Sequence, residues 1–157
     1  MLQPQEKFMR AAIEEAVKAK NSGDYAIGAI IVRDGKIIVR AKNSVKIDQD
    51  STCHAEMVAI RDAMKALGSG FLLSCVLYTT NEPCPMCASA AVWARMEGII
   101  FGSTLQDMIA YRLEKGSRKW SWRTIDVTTA EIVAKGEPKL EIVEGFMRDN
   151  CLELFHS

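Results

Sequence analysis

The chain has 157 residues, of which 48% are hydrophobic and 25% charged, with a formal net charge of zero. This is the profile of one ordinary globular domain, expected to span 1–157. No apolar run is long enough to cross a bilayer, and the polar start Met1-Leu2-Gln3-Pro4-Gln5-Glu6 lacks the basic-then-apolar pattern of a signal peptide, so a cytoplasmic protein with no membrane partner is expected. The five cysteines, Cys53, Cys75, Cys84, Cys87 and Cys151, are odd in number, which argues against a disulfide scaffold. The neutral total announces no polyanion partner, although Arg112, Lys115, Arg118, Lys119 and Arg123 form a local basic cluster.

Residues 5–20 place Phe8, Ala12, Ile13, Ala16 and Val17 at helical spacing, which predicts an amphipathic first helix stopped by Asn21-Ser22-Gly23-Asp24. Gly28–Val32 and Lys36–Arg40 read as strands joined by the hairpin signal Asp34-Gly35. A polar loop covers 44–52. A helix is then predicted from His54 through Leu67, with Met57, Ile60, Met64 and Leu67 on one stripe and Gly68-Ser69-Gly70 as its end. The apolar run Leu72–Thr79 reads as a buried strand. A helix over about 84–96 and a short strand over Gly98–Gly102 follow. Residues 104–115 read as helical, whereas 116–137, with Trp120 and Trp122, carry no clear signal. Lys139–Val143 is a predicted strand and Glu144–Phe155 a closing helix. Strands alternating with helices indicate a layered α/β domain.

Two short motifs carry chemistry. His54-Ala55-Glu56 and Pro83-Cys84-Pro85-Met86-Cys87 supply one imidazole and two thiols, with a carboxylate that need not be a ligand. Catalytic zinc takes three such protein ligands and keeps a fourth position open, and a nearby carboxylate shuttles protons. Cys84 and Cys87, three apart, face the same way on a helix. Pro83 and Pro85 favour a helix start there, where the helix dipole and a metal both favour thiolate. His54 stands at another predicted helix start. Mixed nitrogen and sulfur ligands suit zinc better than calcium or magnesium. Cys53, beside His54, is expected in the pocket wall, and Cys75 and Cys151 as small core residues. His156 reads as part of a solvated tail.

The paired motif resembles the signature of the zinc nucleobase deaminases. Within the cytidine-deaminase-like superfamily, the chain resembles the branch of guanine deaminases, fungal-type cytosine deaminases and tRNA adenosine deaminases. Gly28-Ala29-Ile30-Ile31-Val32 with Asp34-Gly35 is similar to the family's first hairpin, and Asn43, eleven positions before His54, to its base-binding asparagine. The resemblance implies a three-layer α/β/α fold with a five-stranded mixed sheet and assembly as a homodimer. It implies one catalytic Zn2+ held by His54, Cys84 and Cys87, with Glu56 as proton shuttle. Asn43, the backbone N–H of Ala55, and Ile27 would contact the base. The implied chemistry is hydrolytic: Glu56 takes a proton from water and passes it to the ring nitrogen, hydroxide adds to the amine-bearing carbon, Glu56 next protonates the amine, and ammonia leaves.

Three departures point to a small nucleobase or nucleoside, guanine before cytosine. Val92-Trp93-Ala94-Arg95 resembles guanine deaminases more than the tRNA enzymes. Trp93 reads equally as a wall of a free-base pocket or as core packing. Ser103–Ile109 replaces the Gly-rich loop common in the tRNA enzymes, and the end of the chain carries no basic tail. Against these, Gly145–Cys151 resembles the closing helix of the tRNA enzymes. The 104–125 insertion or Phe155-His156 is expected to close over the pocket and exclude water. The alternatives are a tRNA-specific adenosine deaminase, whose partner is nucleic acid, and a non-catalytic deaminase-like subunit.

Overall fold

The computed structural model describes residues 1–116 and 123–156, without the side chain of His156. Helix α1 (Glu6–Asn21) leads into strands β1 (Gly28–Arg33) and β2 (Lys36–Lys42), then α2 (Ala55–Leu67), β3 (Cys75–Asn81), α3 (Pro85–Trp93) and β4 (Gly98–Ser103). Helices α4 (Leu105–Lys115) and α5 (Thr129–Lys135), strand β5 (Glu141–Val143), helix α6 (Arg148–Leu152) and a final 3-10 turn, Glu153–His156, complete the described order. The five strands run β2-β1-β3-β4-β5. β1 is antiparallel to both β2 and β3, while β3, β4 and β5 are parallel, so the sheet is mixed as expected.

Strand alternation sorts the core into two layers. Ile30, Val32, Tyr78 and Ile100 pack with Phe8, Met9, Ala11 and Ala12 of α1 and with Cys151 of α6. Ala29, Ile31, Leu77, Ile99 and Phe101 pack on the other face with Ala55, Ala59, Ile60 and Ala63 of α2 and Ala91 and Val92 of α3. The hairpin turn places Asp34 and Gly35 at φ 51° and 72°, the left-handed pair of a tight two-residue loop. Gly28 is required by proximity: a Cβ there would stand 2.0 Å from the Ala12 carbonyl oxygen and 2.4 Å from the Ala16 nitrogen.

Several predicted boundaries move. β3 starts at Cys75 rather than Leu72, because Leu72–Cys75 close a turn (Cys75 N–H to Leu72 O, 3.2 Å) and the Leu72 N–H bonds the Ala94 carbonyl at 2.7 Å. It also runs on to Asn81, held by parallel pairing with Ser103. Beyond the predicted end at Thr79, the polar residues Thr80 and Asn81 are thus also buried strand positions, which an apolar pattern does not reveal. Helix α3 ends at Trp93, with Arg95 at φ 57°. The fully buried face of α2 is Ala55, Glu56, Ala59, Ile60 and Ala63, with Met64 and Leu67 of the expected stripe packed partly buried against the same core. The closing helix is shorter than Glu144–Phe155: Gly145 and Met147 have positive φ, and the Phe146 N–H bonds the Phe101 carbonyl. Helix α5, within the stretch that carried no clear signal, opens on a Thr128/Glu131 capping box. That Thr-x-x-Glu spacing was a readable helix start. Trp120 and Trp122, and the side chain of His156, lie outside the described residues.

Candidate metal and active site

His54 is the N-cap of α2 and Cys84 the N-cap of α3, each with extended backbone, and Pro85 occupies the first turn of α3. Both helix starts converge at the carboxyl end of β3, where ligands bind in open α/β sheets. His54 Nδ1 lies 3.5 Å from Cys84 Sγ and 3.6 Å from Cys87 Sγ, and the two sulfurs are 3.7 Å apart. Zinc–sulfur bonds of about 2.3 Å and zinc–nitrogen bonds of about 2.0–2.1 Å make tetrahedral S···N and S···S edges of about 3.6 and about 3.8 Å. The donor triangle therefore fits tetrahedral zinc with a fourth vertex free. His54, Cys84 and Cys87 are the one such metal-binding group found among the described residues.

The three ligand groups shift one another's titration. Cys84 is held down to about 4 by its hydrogen bond with Cys87, working against burial, and by His54. Cys87 goes the other way, pushed well above the usual thiol range by donating to Cys84 and by burial. The His54 imidazole is raised by its bond to Cys84, against burial, with a further pull from Glu56. Metal ligands of this kind bind deprotonated, so metal binding releases protons from the set.

Glu56 sits on the first turn of α2, 3% exposed. Burial drives its carboxyl upward, while the positive charge of His54 pulls it down. Its Oε2 is 3.9 Å from Cys87 Sγ, and its Oε1 accepts from the Thr79 hydroxyl at 3.1 Å. It therefore stands beside the ligand triangle and is anchored outside it. Ala55, fully buried, opens α2, where the first N–H groups have no helical acceptor.

Asn43 is 2% exposed. Its N–H bonds the Ile27 carbonyl at 3.0 Å, and its Nδ2 donates to Asp24 Oδ1 at 2.7 Å. Asp24 also accepts from the N–H groups of Tyr25, Lys46 and Ile47. Ser44 N–H bonds the Cys53 carbonyl at 3.0 Å, which brings the end of the loop beside His54. Asn43 Oδ1 accepts no protein hydrogen bond among the described residues. Ile27 packs with Met108, Phe155, Tyr25 and Tyr111.

Trp93 is placed differently from expectation. It ends α3, six residues beyond Cys87 or about 9 Å along the helix, and is 81% exposed. It neither packs in the core nor reaches the ligands of its own chain. Cys53 stays out of the triangle, with Arg61 Nη2 at 3.6 Å from its sulfur. The tail is docked: Tyr111 donates to the Phe155 carbonyl at 2.7 Å, and their rings lie 5.3 Å apart.

Four residues of the site were not read from the sequence. Thr79 anchors Glu56, and Asp24 orients Asn43. Glu82 accepts the Leu105 N–H on Oε1 and the Thr129 N–H on Oε2, both at 2.9 Å. One carboxylate thus ties the starts of α4 and α5 to the loop carrying Cys84. Asn81 completes a polar run, Thr79-Thr80-Asn81-Glu82, at the end of an otherwise apolar strand. That change of polarity just before Pro83 was the available signal.

The sequence pattern of the cytidine and deoxycytidylate deaminase zinc-binding region matches residues 2–103. A tRNA-specific adenosine deaminase of Bacillus subtilis is 49% identical over 98 residues, 62% of this chain and 61% of that protein. A guanine deaminase of the same organism is 43% identical over 103 residues, 65% of this chain and 66% of that protein. The matched stretch thus spans under two thirds of either relative's length. A solved structure from work on tRNA:A34 deaminases superposes with a TM-score of 0.78 at 30% identity, covering 96% of this chain and 99% of that one. With its mixed five-stranded sheet, its donor triangle suited to tetrahedral zinc and a family pattern matched over residues 2–103, the chain belongs to the family of the cytidine and deoxycytidylate deaminase zinc-binding region.

Proposed function

We propose that this protein is a zinc-dependent hydrolytic deaminase of a small amino-substituted nucleobase or nucleoside, guanine first and cytosine next. The observation that carries the catalytic reading is Glu56, buried beside the ligand triangle yet bonded to Thr79 and free of the metal set. A deaminase-like subunit without catalysis has no use for a carboxylate kept there. Zinc, when bound by His54, Cys84 and Cys87, supplies a Lewis acid that makes water nucleophilic near neutral pH. Glu56 would take one proton from that water and give it to a ring nitrogen, and would then carry a second, from the added hydroxyl, to the departing amine, which leaves as ammonia. Thr79 holds the carboxylate in place through Oε1. Asn43, oriented by Asp24, presents its open Oδ1 to a donor on the base, and the Ala55 N–H faces the reacting ring. Ile27, Met108 and Phe155 form an apolar flank that limits water.

A small substrate is supported by the neutral net charge and by α4, which follows β4 directly and seats Met108 and Tyr111 against the docked tail. A second reading, a tRNA-specific adenosine deaminase, is favoured by the 49% identity to the Bacillus enzyme of that description. Ammonia release from guanine, cytosine, adenosine and an anticodon stem-loop separates the two. Turnover of a free base carries the first reading. Salt-sensitive conversion of adenosine to inosine in the stem-loop alone carries the second. Release from none of them sinks both. The pairing with a second copy implied by the family resemblance belongs to the same proposal, and sedimentation of the zinc-loaded chain tests it.

A further inference from the structure

Asn81 is a buried amide whose hydrogen-bonding capacity is only half used. It lies at the carboxyl end of β3, three positions before Cys84, with 2% exposure. Its backbone carbonyl lies 3.2 Å from the Thr79 hydroxyl oxygen, the group that donates to Glu56 Oε1 at 3.1 Å. One side chain therefore separates its backbone from the carboxylate beside the metal set. The amide orientation follows from its neighbours. Gly28 N–H donates to Thr80 Oγ1, which leaves the Thr80 hydroxyl proton for Asn81 Oδ1, at 3.2 Å in each case. Nδ2 then points at the Met108 sulfur, 3.4 Å away. A thioether is a weak acceptor, and Nδ2 meets no oxygen or nitrogen acceptor among the described residues. Burying an amide donor without a good acceptor is costly.

Met108 shares its cluster with Ile27, whose carbonyl accepts the Asn43 N–H. Asn43 thus bonds Ile27 and Asn81 touches Met108 of the same cluster, with complementary capacity: Asn43 has an open acceptor, and Asn81 has a donor spent only on a thioether. We propose that Asn81 is a specificity-determining residue whose Nδ2 donates to a carbonyl oxygen or ring nitrogen of the substrate base. Asn43 and Asn81 together would read a donor and an acceptor on one ring. This rests on the deaminase reading above. A pocket built to hydrogen-bond its substrate discriminates strongly against a ring that leaves its polar groups unpaired.

Two substitutions in the zinc-loaded chain test it. N81D keeps an acceptor for Thr80 and replaces the donor; N81L keeps the volume without charge or donor. Zinc content, melting temperature, and kcat and KM for guanine, cytosine, adenosine and an anticodon stem-loop are measured for each. The expected result is zinc at one per chain in both variants, a 10–100-fold loss of kcat/KM on the best substrate, and a shift of at least tenfold in preference among the panel. Unchanged kcat/KM and preference in both variants would overturn the role of Asn81 and leave the deaminase reading standing. A uniform loss that tracks lost zinc would also overturn it, as the mark of a purely structural residue. An unmodified chain that deaminates nothing in the panel overturns the underlying reading, and this proposal with it.

Discussion

Glu56 and Asp24 are both buried carboxylates, and their surroundings drive them in opposite directions. Glu56 has one hydroxyl donor and a dry setting, so burial raises it. Asp24 is also penalised by burial, yet donors from Ile47, Tyr25, Asn43 and Lys46 hold its carboxyl below the ordinary value. Glu56→Ala should cost at least about 10²–10⁴-fold in turnover, the range of general acid–base catalysis, while zinc per chain, read by atomic absorption, stays unchanged. Activity surviving that change would refute the mechanism. For Asp24 the sign is set by a folded pKa below the unfolded one. Its contribution is complete above about pH 4 and is lost as pH falls through the folded value. Asp24→Asn should cost about 1.5–3 kcal/mol at neutral pH, and urea titrations should show the gap from wild type closing only under acid conditions. A gap that widens on acidification would contradict this account. Legibility at this scale was uneven. His54, Glu56, Cys84 and Cys87 were readable because metal ligands keep a fixed local spacing. Asp24 and Thr79 were not, since each acts on a residue nineteen or more positions away.

Helix starts are the elements that build the site. His54 and Cys84 end extended segments exactly where α2 and α3 begin, so the backbone itself aims both donors. Glu82 extends this arrangement outward, one oxygen to each of α4 and α5. A carboxylate at a helix N-terminus is favoured by the dipole and by the unpaired N–H groups. Glu82→Ala strands two buried N–H donors beside the ligand loop. It should lower stability by about 2–6 kcal/mol, at about 1–3 kcal/mol per stranded group, and weaken zinc about 10–100-fold, as supporting residues of a metal site do. Chelator competition and thermal melts measure the two effects. A loss of stability with zinc affinity intact would show that the tie does not reach Cys84. The elements themselves were mostly legible. α1, the hairpin and β4 follow apolar periodicity, whereas the end of β3 was missed because Thr80 and Asn81 are polar and owe their burial to the neighbouring strands.

At the scale of the molecule, the metal joins the starts of two helices that pack on the same face of the sheet. Ligand binding to the folded state alone stabilises it by about 2.7 kcal/mol at a hundredfold excess over Kd. For a chain of this size that is about 5–10 °C in melting temperature. Removal of zinc by a chelator should lower the melting point by this amount, and added zinc should restore it. An unchanged melt would mean that the triangle does not hold the metal. No described helix is long and apolar enough to cross a membrane. Trp93, Phe71 and Leu73 leave large apolar surface in the water, with exposures of 81%, 48% and 56%.

The sequence alone determined the metal ligands, the adjacent carboxylate and the layered α/β order, because each depends on local spacing, on side-chain chemistry or on the period of buried residues. Only the tertiary structure decided that Trp93 faces solvent, that Asn43 is oriented by Asp24, that Glu82 caps two helices, and that Asn81 is buried with a spare donor. Those facts depend on pairing between segments distant in the chain. Burial of a polar side chain is set by what packs over it and not by its neighbours in sequence.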